Sequence, residues 1–170
     1  MFLFVAGCGP SKDLTRDKAK DLLDSALVPE QDVNVFLSPS EFIAGKRLGL
    51  WGESDPGITF YAFTPTGATY FDDRGLTRYC PSGCVIPLKT PVKPHVIEVT
   101  GIADPPFANG NEPVKIVEYT WNYDWSTLPD PLKQLFSNAP EAVNPMSGQP
   151  GPWKGHRVLQ LYDDGWRVAN

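Results

Sequence analysis

The longest alternation of apolar and polar residues in the chain runs from Glu112 to Trp125. Aromatic or aliphatic side chains occupy every second position from Val117 onward, and mostly polar residues lie between them. Because successive side chains of a strand point to opposite faces, this period of two predicts one long β-strand with an aromatic face. We expect Tyr119, Trp121 and Tyr123 to be core residues.

A helical period precedes that strand near the N-terminus. Thr15 is suited to an N-cap, Pro29 stops the run, and apolar residues recur at i, i+3 and i+4 between them: Ala19, Leu22, Leu23, Ala26 and Leu27. The pattern predicts an amphipathic helix over Arg16–Leu27. A single helix of this length needs a partner for its apolar stripe, and we expect it to cover the aromatic face of the long strand.

Shorter segments predict further antiparallel strands and one more helix. Asp-Gly favours a hairpin at Asp163-Asp164-Gly165, and Pro65-Thr66-Gly67 is typical of a three-residue hairpin loop. Asp130-Pro131 predicts the start of a short helix with Leu132, Leu135 and Phe136 on one face. Residues 38–50 give no clear pattern, and residues 137–155 suggest an irregular surface segment. The predicted strands are Val33–Leu37, Ile58–Thr64, Ala68–Phe71, His95–Ala103, His156–Tyr162 and Trp166–Ala169.

These elements predict the fold class α+β, in which the N-terminal helix packs on a curved antiparallel β-sheet. A small β-sandwich or barrel with one helix is the alternative. The length of 170 residues fits a single domain, which we place at 15–170. The element order and the closing Asp164-Gly165-Trp166-Arg167-Val168 resemble the cystatin-like and nuclear-transport-factor-like rolls of bacterial lipoproteins. Such rolls include isomerases, hydratases and binding modules, so the resemblance implies a fold but no single activity.

Charge and hydropathy argue against a nucleic-acid-binding protein and against a membrane-spanning one. Lys and Arg number 15 against 20 Asp and Glu, and the resulting net charge of -5 is spread along the chain. The chain therefore lacks the basic patch that a nucleic-acid interface needs. The sequence contains no run of 18 apolar residues, so we expect no segment to span a bilayer.

The N-terminal segment carries a second resemblance. Val5-Ala6-Gly7-Cys8 resembles the lipobox of bacterial lipoproteins, although only seven residues precede Cys8 and none of them is Lys or Arg. The resemblance implies lipidation at Cys8, with residues 1–14 as signal remnant and tether. It further implies an extracytoplasmic protein anchored to a membrane, the outer membrane if the cell is Gram-negative.

Two further cysteines flank a short loop. Cys80 and Cys84 enclose Pro81-Ser82-Gly83, and facing strand ends bring Cα atoms within ~5.5 Å, so we expect a disulfide in an oxidising compartment. The alternative is a copper or redox site, because Cys-Pro-x-x-Cys resembles the motif of thioredoxin-like copper chaperones, with His156 as the distant ligand.

No constellation of residues predicts a particular reaction. His95 and His156 each begin a predicted strand, and we expect both to be surface residues. We therefore expect a non-enzymatic binding or assembly module that needs no cofactor or metal, with a protein or small molecule as partner besides the membrane. The alternative is an isomerase-like or hydratase-like enzyme in which Glu118 or Asp124 acts as general base.

Overall fold

The computed structural model describes residues 13–55, 58–72, 82–106, 113–136, 140–143 and 149–169. The elements in chain order are α1 (Arg16–Ala26), β1 (Val33–Leu37), α2 (Pro39–Arg47), β2 (Trp51–Asp55), β3 (Ile58–Phe63), α3 (Gly67–Tyr70), β4 (Cys84–Leu88), β5 (Lys93–Ala103), β6 (Val114–Asp124), α4 (Asp130–Leu135), β7 (Glu141–Ala142), β8 (Trp153–Tyr162) and β9 (Gly165–Val168). The strands of the described residues form three sheets, with strand orders β5-β6-β8-β9, β4-β1-β7 and β2-β3.

The chain divides into two compact units. The first contains the described parts of residues 1–27, 95–122 and 152–170, and the second contains those of 28–94 and 123–151. The assignment of residues 15–170 to one domain stays a prediction.

The four-stranded sheet belongs to the first unit. β6 and β8 pair antiparallel in a continuous register from Val114 opposite Gln160 to Trp121 opposite Trp153. β8 and β9 form the expected hairpin, in which Tyr162 pairs with Gly165. Gly165 has φ +130°, a conformation that a residue with a Cβ rarely adopts, so the Asp-Gly signal marked the turn correctly.

Helix α1 packs on one face of this sheet and confirms the predicted α+β fold. The Thr15 hydroxyl accepts a hydrogen bond from the Lys18 N–H at 3.3 Å, as expected of an N-cap. Ala19 and Leu23 are buried in a cluster with residues from all four strands: Val96, Val99, Val117, Tyr119, Leu159 and Trp166. The helix ends at Ala26, one residue before the predicted end.

The helix face next to this buried one is hydrogen-bonded to the backbone of β5. Arg16 donates to the Thr100 carbonyl at 3.4 Å and Lys20 donates to the Ile97 carbonyl at 3.0 Å, while the Asp24 carboxylate accepts the Val96 N–H at 2.6 Å. β5 is the first strand of the sheet, and α1 also packs against the last strand, β9. Four strands span ~14 Å and a helix is ~10–12 Å across, so a sheet that curves around α1 lets the helix contact both edges.

The second unit has its own aromatic core. Trp51 of β2 is 1% exposed, and its indole N–H donates to the Phe42 carbonyl of α2 at 3.0 Å. The ring centroids of Phe63 and Phe71 lie 6.1 Å and 5.9 Å from the ring centroid of Trp51. A Cβ at Gly45 would fall 1.9 Å from the Trp51 ring, so a glycine is required where α2 meets this side chain.

Two predictions about local structure are wrong. Ala68–Phe71 is not a strand, because Gly67–Tyr70 forms helix α3, and the Thr64 hydroxyl accepts the Gly67 N–H at 3.1 Å at its start. Residues 137–155 are not wholly irregular, since β7 forms at Glu141–Ala142 and β8 begins at Trp153. Both predictions took proline as a sign of a turn or loop, at Pro65 and within residues 137–155, although proline also starts helices and flanks strands.

The unassigned residues 38–50 contain helix α2. Ser38 is its N-cap, the Ser38 hydroxyl accepts the Glu41 N–H at 3.3 Å, and the Glu41 carboxylate accepts the Ser38 N–H at 2.7 Å. This reciprocal capping box, with Pro39 in the first turn, is a sequence signal that could have located the helix. Helix α4, by contrast, lies where it was predicted, with Leu132, Leu135 and Phe136 buried.

Candidate functional site

A cavity of about 660 Å³ lies in the first unit beside the second half of α1, and we call it the α1 cavity. Its volume is within the range of small-molecule sites. Apolar residues from the helix, β6 and β9 line much of it: Leu22, Leu23, Ala26, Leu27, Tyr119 and Val168. Its polar lining residues are Ser25, Arg157 and Arg167, and Tyr119 carries a hydroxyl group.

The ring of Tyr119, one of the residues that line the α1 cavity, is positioned by Gly155. The two residues lie opposite each other in the β6–β8 register. A Cβ at Gly155 would fall 2.7 Å from Cζ and 2.9 Å from the hydroxyl oxygen of Tyr119, so the phenol ring lies over the glycine backbone. A larger residue at Gly155 would displace the ring from this position.

Arg157 is placed on the helix side of the sheet by strand alternation. It pairs with Val117 and lies two residues before Leu159, and both of those residues are buried in the cluster under α1. Arg157 itself is exposed and lines the α1 cavity. A charged residue thus occupies a position whose neighbours on the same face are apolar.

Two polar groups of the α1 cavity are available to a ligand. Neither the Arg157 guanidinium nor the Tyr119 hydroxyl has a hydrogen-bond or ion-pair partner within the described residues. Arg167 differs, since its guanidinium forms an ion pair with Asp164 and lies 5.6 Å from the Tyr162 ring centroid. No Asp or Glu of the described chain lines the cavity, so its charged lining is basic.

A second cavity, of about 650 Å³, contains one of the two candidate acids, and we call it the Glu118 cavity. Glu118 lies directly opposite His156 in the β6–β8 register. The cavity is also lined by Thr100, Lys154 and Tyr119, the last of which lines the α1 cavity as well. Glu118 and His156 are both exposed. The two residues were separate candidates in the sequence, and the structure brings them together.

The remaining candidate residues have structural or surface positions. Asp124 accepts the Ser126 N–H at 3.0 Å and so caps the short 3₁₀ helix Trp125–Thr127. It belongs to the second unit, whereas Glu118 belongs to the first. His95 is exposed on β5, as expected. Asp163 and Asp164 form the loop of the β8–β9 hairpin.

The cysteine predictions concern residues that are mostly undescribed. Cys8 and Cys80 lie outside the described residues, and Cys84 is the half-buried first residue of β4. Gly83, just before it, has φ +88°, as a loop of the predicted type needs. Within the described ranges no three His, Cys, Asp or Glu side chains group as metal ligands would, and no helix is long and apolar enough to cross a membrane.

Tyr123 was expected in the core and forms a polar contact in the second unit. It is buried, and its hydroxyl donates to the Glu30 carboxylate at 2.6 Å. Burial, followed by the hydrogen bond to Glu30 and its negative charge, raises the pKa of Tyr123 well above the ordinary value of 10.0.

Arg157 is the functional candidate that sequence analysis missed. The signal was present, because Gly155, Arg157, Leu159 and Leu161 share one parity of a strand whose apolar members mark the core face. An arginine in that series indicates a gap in the packing. Recognising it required the start of β8 at Trp153, which the predicted irregular segment concealed.

Comparison with known proteins assigns no relationship. No protein-family profile matches the chain. No curated protein and no solved structure shows significant similarity to it.

Proposed function

We propose that this chain is a lipid-anchored protein of the cell envelope that acts as a non-enzymatic binding module, with the α1 cavity as its binding site. The observation that supports binding is the combination of a 660 Å³ volume, a largely apolar lining and two polar groups without partners in the described chain. Ligand sites commonly combine these features, with a few polar groups that fix orientation.

Binding is tested with an uncharged apolar dye. Nile red should bind the purified protein with increased fluorescence, and Ala26→Trp should weaken this binding at least five-fold, because the indole would fill a cavity lined by Ala26. The control is Asp21→Trp, at an exposed position of the same helix that does not line the cavity. Equal binding by both variants and the unaltered protein would exclude the α1 cavity as the site.

The anchor is tested at Cys8, where Val5-Ala6-Gly7-Cys8 motivates the proposal. The full-length protein expressed in a bacterium should enter the detergent phase of a phase-separation experiment, because two or more acyl chains anchor a protein stably. Cys8→Ser should move it to the aqueous phase. If the two proteins partition alike, the lipid anchor and the envelope location are both wrong.

The Cys80–Cys84 disulfide forms part of the same proposal. Thiol titration of the denatured, unreduced Cys8→Ser protein should find no free thiol, and two after reduction. Two free thiols before reduction would contradict the disulfide, and copper bound in a 1:1 ratio would favour the metal site instead.

A second candidate function is acid–base catalysis in the Glu118 cavity, which the pairing of Glu118 with His156 favours. It ranks second because a general base is usually withdrawn from water to adjust its pKa, and both side chains are exposed. Isomerase activity on a ketone or enol substrate that Glu118→Gln abolishes, with the fold intact, would reverse this order.

A further inference from the structure

The α1 cavity has a chemical asymmetry that points to the class of its ligand. Much of its lining is aliphatic, its charged lining residues are Arg157 and Arg167, and no Asp or Glu of the described residues lies in its lining. The chain as a whole carries a net charge of -5, so the basic character of this cavity runs against the balance of the molecule. We propose that the α1 cavity binds a single-chain amphiphile with a carboxylate head, a proposal that rests on the binding function proposed above.

The head-group assignment follows from the donors that are available. A guanidinium presents two parallel N–H groups that match the two oxygens of a carboxylate, and charge-assisted pairs of this kind are stronger than neutral hydrogen bonds. Arg157 has no acidic partner in the described chain, whereas Arg167 is already paired with Asp164. Tyr119 also lines this cavity, and its hydroxyl, which has no partner in the described chain, is a neutral donor.

The tail assignment follows from the helical part of the lining. Leu22 and Ala26 in the second half of α1 and Leu27 just after it present aliphatic surface, and Val168 adds to it from β9. A flexible alkyl chain fits such a surface without needing hydrogen bonds that the lining does not offer. A sugar or nucleotide would leave several hydroxyl groups unpaired there.

The proposal is tested by calorimetric titration with octanoate and octanol, which differ only in the head group. Octanoate should bind at least ten-fold more tightly than octanol to the full chain carrying Cys8→Ser. Arg157→Met should abolish this preference, because the linear side chain keeps the aliphatic stem but lacks the guanidinium that would bind the carboxylate. Tyr119→Phe should weaken octanoate about three- to five-fold, as loss of one neutral hydrogen bond does.

Two controls make the outcomes decisive. Lys154→Met removes a positive charge from the same strand and lines the Glu118 cavity instead, so it should leave the octanoate preference intact. If it lowers octanoate affinity as much as Arg157→Met, the effect is general electrostatics and the head-group assignment is wrong. Should Arg157→Met fail to fold, Tyr119→Phe, which keeps the ring over Gly155, carries the test alone.

The two proposals fail in different ways. If octanol and octanoate bind equally, the carboxylate site is wrong while the binding function stands. If neither ligand binds and Nile red does not bind either, the proposed function is wrong. Binding of octanoate that Ala26→Trp does not affect would place the ligand outside the α1 cavity and overturn the inference.

Discussion

At the scale of single residues, Gly155 controls the position of Tyr119. A methyl group at Gly155 would lie within 3.0 Å of three atoms of the Tyr119 phenol group. Because Tyr119 is only 5% exposed, the ring or the strand would have to move. We expect Gly155→Ala to lower the free energy of unfolding by about 1–3 kcal/mol, as overpacking does. Urea unfolding measures this.

Gly52→Ala is the matched control for that substitution. Gly52 also lies in a strand, has no positive φ, and a Cβ there would meet no atom within 4 Å. Its replacement should change the free energy of unfolding little, because it adds no clash. Equal losses at the two positions would show that the loss at Gly155 has nothing to do with Tyr119.

The aromatic residues of β6 show how far residue-level prediction reached. Alternation correctly placed Tyr119 in the core under α1. Trp121 is only partly buried and packs beside that core with its ring 4.8 Å from Trp153, while Tyr123 falls in the second unit. Parity assigns a face to each side chain, but it does not say how far along the strand the covering helix reaches.

At the scale of elements, side chains of α1 form hydrogen bonds with backbone groups of β5, the first strand of its sheet. Asp24 accepts the Val96 N–H, which would otherwise lie unpaired in a partly buried position. We expect Asp24→Ala to cost about 1–3 kcal/mol of stability, the usual penalty for an unsatisfied buried donor. Hydrogen exchange at the Val96 amide should also become faster.

The same helix offers the control. Asp21 is exposed and its carboxylate has no hydrogen-bond partner among the described residues. Asp21→Ala should be neutral or slightly stabilising, since alanine is the better helix former. If Asp21→Ala and Asp24→Ala have equal effects on stability and on Val96 exchange, the edge contact contributes nothing.

Elements were predictable where the local signals agreed with one another. Helix α1 and the β8–β9 hairpin were located because capping, period and turn chemistry agreed at Thr15 and Gly165. α3 was read as a strand because Pro65 to Gly67 suits a hairpin loop as well as a helix start. The choice depends on long-range contacts. The Thr64 hydroxyl donates to the Gly49 carbonyl at 2.5 Å, and a Cβ added at Gly67 would lie 1.7 Å from the Leu50 carbonyl oxygen.

The pairing of the strands was harder to predict than the positions of the strands. β4 pairs with β1, which lies almost fifty residues earlier in the chain. The α1 cavity depends on similar long-range placement, because its lining comes from α1, β6, β8 and β9. No local pattern reports such contacts, so the cavity could be found only from the structure.

At the scale of the whole molecule, stability should fall in alkaline solution because of Tyr123. Its pKa in the folded protein is raised above 10.0, so between the two values the folded state holds a proton that the unfolded state has lost. Stability from this group is therefore complete below about pH 10 and is lost as the pH rises beyond it. Tyr123→Phe should flatten this alkaline decline in urea unfolding measured at successive pH values.

Glu30→Gln separates the effect of burial on the pKa of Tyr123 from the effect of the Glu30 charge. It removes the negative charge next to the Tyr123 hydroxyl but leaves the burial of the ring unchanged. The decline should remain, though less steep, because burial is the larger cause. An alkaline decline that Tyr123→Phe leaves unaltered would contradict the assignment to this tyrosine.

The attachment of α1 to β5 has a mechanical consequence. The three contacts lie in order along the helix, from Arg16 through Lys20 to Asp24, and the N-terminus of the chain leads directly into Arg16. A pulling force applied at that end would load the bonds one after another, as in peeling, and each would break at a low force. Because the last turns of α1 also form a wall of the α1 cavity, tension on the N-terminal segment would open the cavity before it unravelled the sheet.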